Sequence, residues 1–139
     1  MIISTKGRYG LRALLDLAAN CQNGPVALSS IAKRQQISEG YLEQLMMPMK
    51  KNGLVISMRG AKGGYVLARP AEEILVKEVY DILEGPVLIT ACVGHDHIKC
   101  VMEDTCATKS LWNEIQDKVN EILLSYTLAD LLDGKNLKY

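Results

Sequence analysis

The sequence predicts a mainly α-helical protein with one small β-hairpin: a winged helix-turn-helix domain followed by a long C-terminal dimerisation helix. Three observations carry this reading. Apolar residues recur at helical spacing over most of the chain. Two short β-prone runs, "LVISM" (54–58) and "GYVLA" (64–68), flank the glycine-rich link "RGAKG". Residues 110–126 carry a narrow apolar seam at alternating three- and four-residue steps. The chain has 139 residues, 48% of them apolar, with no Phe and one Trp. That fits one domain with an appended helix, its core filled by Ile, Leu, Val and Met.

Taken in order, Leu11, Leu14, Leu15, Ala18 and Ala19 mark a first helix, with Thr5 as its expected N-cap and "NGP" (23–25) as its stop. A short helix follows, capped by Ser29 or Ser30, with Ile31 and Ala32 facing inward. After the turn "QISEG" (36–40), Ser38 caps a third helix whose stripe is Tyr41, Leu42, Leu45, Met46 and Met49; Pro48 bends it or tightens its end, and Gly53 stops it. The hairpin comes next, closed by Pro70. Helix, short helix, turn, helix and hairpin form a winged helix-turn-helix. Residues 72–84 read as a further helix, with Ile74, Leu75, Val79, Ile82 and Leu83 on its apolar side. Trp112, Ile115, Val119, Ile122 and Tyr126 form the seam, read as a dimer interface, and Thr127 caps a last short helix. The expected organisation is residues 1–70 for DNA binding, 71–90 as a connecting helix, 91–109 as a cysteine loop and 110–139 as the dimerisation segment.

A net charge of zero conceals a division. Residues 1–70 hold ten basic side chains against three acidic ones, a balance of +7, and the remainder carries −7. A basic first half points to a polyanionic partner. In a helix-turn-helix the second helix presents its N-terminal residues to base edges in the major groove of double-stranded DNA. Here those residues are Ser38, Glu39, Gly40, Tyr41, Glu43 and Gln44. Gln pairs with adenine, and Glu accepts from cytosine N4. Arg59 and Lys62 at the hairpin tip suit phosphates or a narrow minor groove, and Lys6, Arg8 and Tyr9 add contacts at the start of the first helix. Lys50 and Lys51 either join this face or complement their own helix C-terminus. A dimer would place two such helices about one DNA turn apart, on a pseudo-palindromic operator. Nothing resembles a membrane span, a signal peptide, a nucleophile–base pair or a phosphate-binding loop, so the expectation is a soluble cytoplasmic protein that is not an enzyme.

"STKGRYGLRALLDLA" (4–18), "SEGYLEQLMMPMKKNGLVISMRGAKGGYVL" (38–67) and "LWNEIQDKVNEILLSYTLADLL" (111–132) closely resemble the iron–sulfur cluster regulators called IscR, and beyond them the CymR and NsrR repressors. The resemblance implies a homodimer whose long C-terminal helices cross, with Ser38, Tyr41, Glu43, Gln44 and Arg59 at recognition positions. Gly40 departs from the serine usual there.

Cys92, Cys100 and Cys106 are spaced C-x7-C-x5-C. In a reducing compartment clustered cysteines bind metal or do redox chemistry, while Cys21 reads as packing. IscR-type proteins carry three cysteines here as ligands of a [2Fe–2S] cluster, and thiolates are the ligands such clusters take. Neighbouring acids are expected to raise the thiol pKa values. The spacing is longer than usual between the first two cysteines, and Lys109 stands where a histidine ligand is expected. The matching first-helix position of NsrR-type proteins is Arg8. The ligand type points to His95 or His97 as the fourth donor; Glu103, Asp104, solvent or an outside thiol are the other candidates. Three readings of the loop stay open: a [2Fe–2S] cluster, zinc held by three cysteines and a histidine, and a thiol switch. The functional expectation is a homodimeric repressor of iron–sulfur cluster assembly genes that senses the cluster. The alternatives are an iron–sulfur carrier, or a CymR-type repressor of cysteine metabolism controlled by a partner protein or thiol redox.

Overall fold

The computed structural model describes residues 3–93 and 99–134. Helix α1 spans Thr5–Asn20 and is capped by Ser4, whose Oγ accepts the Lys6 and Gly7 N–H groups at 3.1 and 3.4 Å. The cap expected at Thr5 therefore falls one residue earlier, since Ser4 is the residue with extended backbone and Thr5 is already helical. The buried face is Ala13, Leu14, Leu17 and Ala18; Ala19 is exposed. Helix α2 spans Leu28–Gln35. Neither Ser29 nor Ser30 caps it, because the extended residue is Ala27, whose carbonyl accepts from the Ser30 and Ile31 amides. Helix α3, Glu39–Lys51, is capped by Ser38 and runs through Pro48 without a break.

The first two helices are clamped by a buried acid. Asp16, with its side chain 3% exposed, accepts hydrogen bonds from Arg34 Nη2 at 2.6 Å and Nε at 2.9 Å, and from Gln35 Nε2 at 2.8 Å. Burial alone would raise the Asp16 pKa, but those hydrogen bonds and the Arg34 charge outweigh it and hold the carboxyl below its usual value. The pair fixes α2, and with it the entry into α3.

Strands β1 (Val55–Met58) and β2 (Gly64–Leu67) pair antiparallel with Val55 opposite Leu67 and Met58 opposite Gly64. Residue 26 adds a bridge to Tyr65, with N–H···O distances of 2.9 and 2.8 Å. Gly64 permits that approach, since a Cβ there would stand 2.2 Å from the Val26 carbonyl oxygen.

The helix expected over 72–84 is divided. A 3₁₀ turn covers Ala71–Glu73, Ile74 and Leu75 are extended, and helix α4 spans Val76–Glu84. The physical reason is a long-range pairing: Leu75 bridges Thr127, the Val76 N–H donates to Tyr126 O at 2.9 Å, and the Leu128 N–H donates to Ile74 O at 3.0 Å. Helix α4 turns Val76, Val79, Tyr80 and Leu83 inward, whereas Leu75 and Ile82 are half-buried. It crosses α1 at two glycines one turn apart. A Cβ on Gly10 would sit 2.2 Å from Leu83 Cδ1, and one on Gly7 2.6 Å from Tyr80 Cε1.

Helix α5 spans Lys109–Ser125. Tyr126, expected on its seam, is instead extended because it belongs to the pairing with Val76. Thr127 caps helix α6, Leu128–Leu132, through a capping box with Asp130. Leu128 is fully buried in the same core cluster as Leu14, Leu17, Ile31, Leu42, Met46 and Ile74, so α6 closes the core that α1 opens.

Candidate functional site

Two regions of the surface concentrate functional chemistry. The first is the face formed by α3, the hairpin tip and the start of α1. Ser38, Glu43, Gln44, Arg59, Lys62, Lys6 and Arg8 are all exposed. Ser38 Oγ accepts from the Tyr41 N–H at 3.3 Å, which fixes the start of α3. Tyr9 and Tyr41 are half-buried and meet edge to face, with ring centroids 6.2 Å apart. The Arg8 and Arg12 guanidinium carbons lie 5.9 and 5.2 Å from the Tyr9 centroid. The two tyrosines thus join α3 to α1 and order the cations around them. Arg12 joins this cluster beyond the residues expected from the sequence; its signal is its place one turn after Arg8, on the same helix face.

Lys6, Gln44, Met47, Pro48, Lys50 and Lys51 line a broad groove of about 760 Å³. This brings Lys50 and Lys51 beside Lys6 and Gln44, on the side of the fold where α3 begins its exposed face. Glu43 lies near the wing: burial pushes the Tyr65 phenol up, and the Glu43 carboxylate adds to that. A carboxylate among these cations costs phosphate affinity, so it acts in selectivity if it acts on DNA.

The second region lies between α4 and α5. Cys92, Cys100 and Cys106, with Glu103 and Lys109, line one concavity of about 20 Å³. The residues arrive there for identifiable reasons. Buried Gln116 on α5 donates to Val87 O at 2.6 Å and accepts from the Ile89 N–H at 2.8 Å, pinning the strand of chain that leads to Cys92. Thr90 Oγ1 lies 3.1 Å from Cys92 Sγ. Cys106 sits just before α5, 3.4 Å from Thr108 Oγ1. Hydrogen bonding from Thr108, first by its side chain and then by its backbone, lowers the Cys106 pKa, and the Lys109 charge acts the same way. The expectation that nearby acids would raise the thiol pKa is therefore reversed at this cysteine. Lys109 Nζ donates to Glu103 Oε1 at 2.7 Å, and that hydrogen bond raises the lysine's pKa, keeping it a cation.

All four cysteines are free thiols, and Cys21 packs against the core as expected. His95 and His97 lie outside the described residues. Among the described residues no three His, Cys, Asp or Glu side chains are gathered tightly enough for a single metal ion. Cys92, Cys100 and Cys106 share the lining of that one concavity, and thiolates are the soft donors that zinc and iron–sulfur groups take.

Of the expected seam, Trp112, Ile115 and Val119 are half-buried, and Ile122 is 58% exposed. Ile3, Tyr80, Val87, Val119, Ile122 and Leu123 line an apolar groove of about 220 Å³ beside it. No helix of the described residues is long and apolar enough to cross a membrane.

An exposed helix start beside a cationic wing, both held on a helix-turn-helix core, defines a winged-helix DNA-binding transcription regulator. The comparisons make this specific. The model of the Rrf2 family, described as iron-dependent transcriptional regulators, matches residues 3–134, and the chain belongs to that family. It is 42% identical over 137 residues to the HTH-type transcriptional regulator IscR of Pectobacterium atrosepticum, covering 99% of this chain and 82% of that one. Among solved structures, CymR, the global cysteine regulator of B. subtilis, superposes with a TM-score of 0.83 at 40% identity, covering 98% of this chain and 99% of that one. IscR of T. potens superposes with a TM-score of 0.79 at 43% identity, covering 100% of this chain and 92% of that one. These relatives are named as regulators rather than enzymes.

Proposed function

We propose that this protein is a homodimeric repressor of iron–sulfur cluster assembly genes that senses a [2Fe–2S] cluster held by Cys92, Cys100 and Cys106. One observation carries the reading: three cysteines up to fourteen positions apart in sequence line a single concavity in the segment that joins α4 to α5. The family's description as iron-dependent supports it, as does the resemblance to IscR proteins. When bound, the cluster supplies iron sites that take thiolate ligands. The residues of this chain supply the coupling. Cys92 follows the Gln116-pinned segment and Cys106 directly precedes α5, so drawing the sulfurs together constrains how α5 leaves α4. Helix α5 carries the apolar face that a second copy would cover. A change there alters the spacing of the two α3 helices on DNA, and the control acts through the difference in DNA affinity between the two states. Ser38, Tyr41, Glu43, Gln44, Arg59, Lys62, Lys6, Arg8 and Tyr9 form the DNA face of each copy, on a pseudo-palindromic operator.

The test is absorption and circular dichroism of protein purified without oxygen, with iron and acid-labile sulfide assayed on the same sample and operator affinity measured before and after cluster loss. Charge-transfer bands, equal iron and sulfide, and an affinity that changes on loss are expected. Cluster without any effect on DNA binding would favour a carrier. A colourless protein that reconstitution leaves unchanged would leave zinc or a thiol switch. Sedimentation giving only monomer would refute the dimer.

A further inference from the structure

The turn from α2 into α3 consists of Gln36, Ile37 and Ser38, and it aims the start of α3. Gln36 closes α2 in the left-handed region, at φ 55° and ψ 45°, the single non-glycine residue with positive φ among those described. There its Cβ crowds a backbone carbonyl oxygen, a conformation that glycine adopts freely and glutamine keeps only when its surroundings hold it. Arg12 on α1 supplies the hold. Gln35 ends α2, so its carbonyl has no helical N–H to accept; it accepts instead from Arg12 Nη2. That oxygen belongs to the peptide unit that the φ of Gln36 rotates. Arg12 Nε also donates to Gln35 Oε1 at 3.2 Å, while Gln35 Nε2 donates to Asp16 at 2.8 Å. Helix α1 therefore grips Gln35 at three atoms. The guanidinium is itself braced: it lies over the Tyr9 ring, 5.2 Å from its centroid, and Tyr9 abuts Tyr41 in the first turn of α3.

We propose that Arg12 is a positioning residue for DNA recognition: by holding the peptide ahead of Gln36, it sets the angle at which α3 presents Ser38, Glu43 and Gln44. The inference rests on the reading that this face meets DNA. A direct phosphate contact is the other use of a cation here. Against it, two N–H groups of Arg12 are committed to Gln35 on another helix, whereas Arg8 donates within its own helix, to Thr5 Oγ1 at 3.4 Å. A planar fork that serves the side-chain oxygen and the carbonyl of one residue is a geometry lysine does not reproduce. The role thus depends on shape more than on charge, and salt dependence and lysine substitution separate the two uses.

The experiment compares the full chain with Arg12→Met, Arg12→Lys, Gln36→Gly and the Arg12→Met/Gln36→Gly double variant. The probes are a duplex selected by the parent protein from a random-sequence pool and a random-sequence duplex of the same length. Affinity for each is measured at several salt concentrations, well below the unfolding temperature read for every variant. Arg12→Met is expected to lose about 5- to 150-fold on the selected duplex, the worth of one base contact. Its affinity for the random duplex and its salt slope should stay unchanged. Arg12→Lys is expected to lose nearly as much, and it carries the comparison if Arg12→Met does not fold. In the Gln36→Gly background the turn is free of strain, so Arg12→Met should cost less there. Equal losses on both duplexes with a slope lower by about 0.9, or full rescue by lysine, would make Arg12 a phosphate contact and overturn the assignment. Unchanged selectivity in Arg12→Met, or a loss just as large in the Gln36→Gly background, would overturn it too, and each of these leaves the DNA reading intact. A parent protein that enriches no sequence from the pool would overturn the base-reading role of α3, and this inference with it.

Discussion

Removing the Asp16 carboxylate tests how α1 and α2 are held together. Asp16 lies on α1 with its side chain 3% exposed, and receives three close hydrogen bonds from Arg34 and Gln35 on α2. Stranding a fully buried charge costs about 3–5 kcal/mol, but the Arg34 side chain is 41% exposed and rehydrates once its partner is gone. The loss is then set by hydrogen bonds to a charged group, about 1.5–3 kcal/mol. Asp16→Ala should therefore destabilise by about 2–3 kcal/mol, or roughly 6–12 °C in Tm for a domain of this size. Asp16→Asn keeps the shape and one acceptor and should lose less. The direction with pH follows from the lowered Asp16 pKa. A depressed carboxyl contributes stability that is fully present above the unfolded value, about 3.9, and is lost as pH falls through the folded value. The gap between the parent and Asp16→Ala should stay constant from neutral pH to about pH 5 and close below about pH 4. Urea denaturation across that range is the assay. A gap under about 0.5 kcal/mol at pH 7, or one that persists unchanged into acid, would refute the clamp.

Other perturbations separate packing from recognition. Gly10→Ala drives a methyl into Leu83 at 2.2 Å, so overpacking of about 1–3 kcal/mol should exceed the helix-propensity gain of up to about 1 kcal/mol and lower Tm. Gly40→Ala, with nothing within 4 Å, should leave stability unchanged or raise it; equal effects at the two glycines would refute the α1–α4 contact. Gln116→Leu strands the Val87 carbonyl and the Ile89 N–H, costing about 1–3 kcal/mol locally. Faster hydrogen exchange over residues 86–93 checks it, and unchanged exchange counts against the pinning. Arg59→Ala should weaken operator binding and reduce the slope of log K against log salt by about 0.9, whereas Glu43→Ala should relax selectivity at one base pair by about 1–3 kcal/mol. Binding measured at several salt concentrations on single-base operator variants distinguishes the two; an unchanged slope for Arg59→Ala would remove it from the DNA face.

Part of the fold follows from local chemistry alone. Ser38 as a cap, the 3.6-residue stripe of Leu42, Leu45, Met46 and Met49, the hairpin around "RGAKG" and the Thr127 cap each depend on neighbours a few residues away, and each stands in the structure. The cationic candidates are exposed because charged side chains stay in water wherever the fold goes. The rest depends on partners distant in sequence. Residues 72–75 leave the helix their periodicity favours because the backbone of 126–128 offers them hydrogen bonds. Gly7 and Gly10 read as ordinary helix residues until Tyr80 and Leu83 press on them. The cysteine spacing named three sulfurs, but it took the Gln116 anchor and the turn at Glu103 to place a carboxylate and its lysine beside them. Periodicity reports which face is apolar, and only packing reports what that face meets.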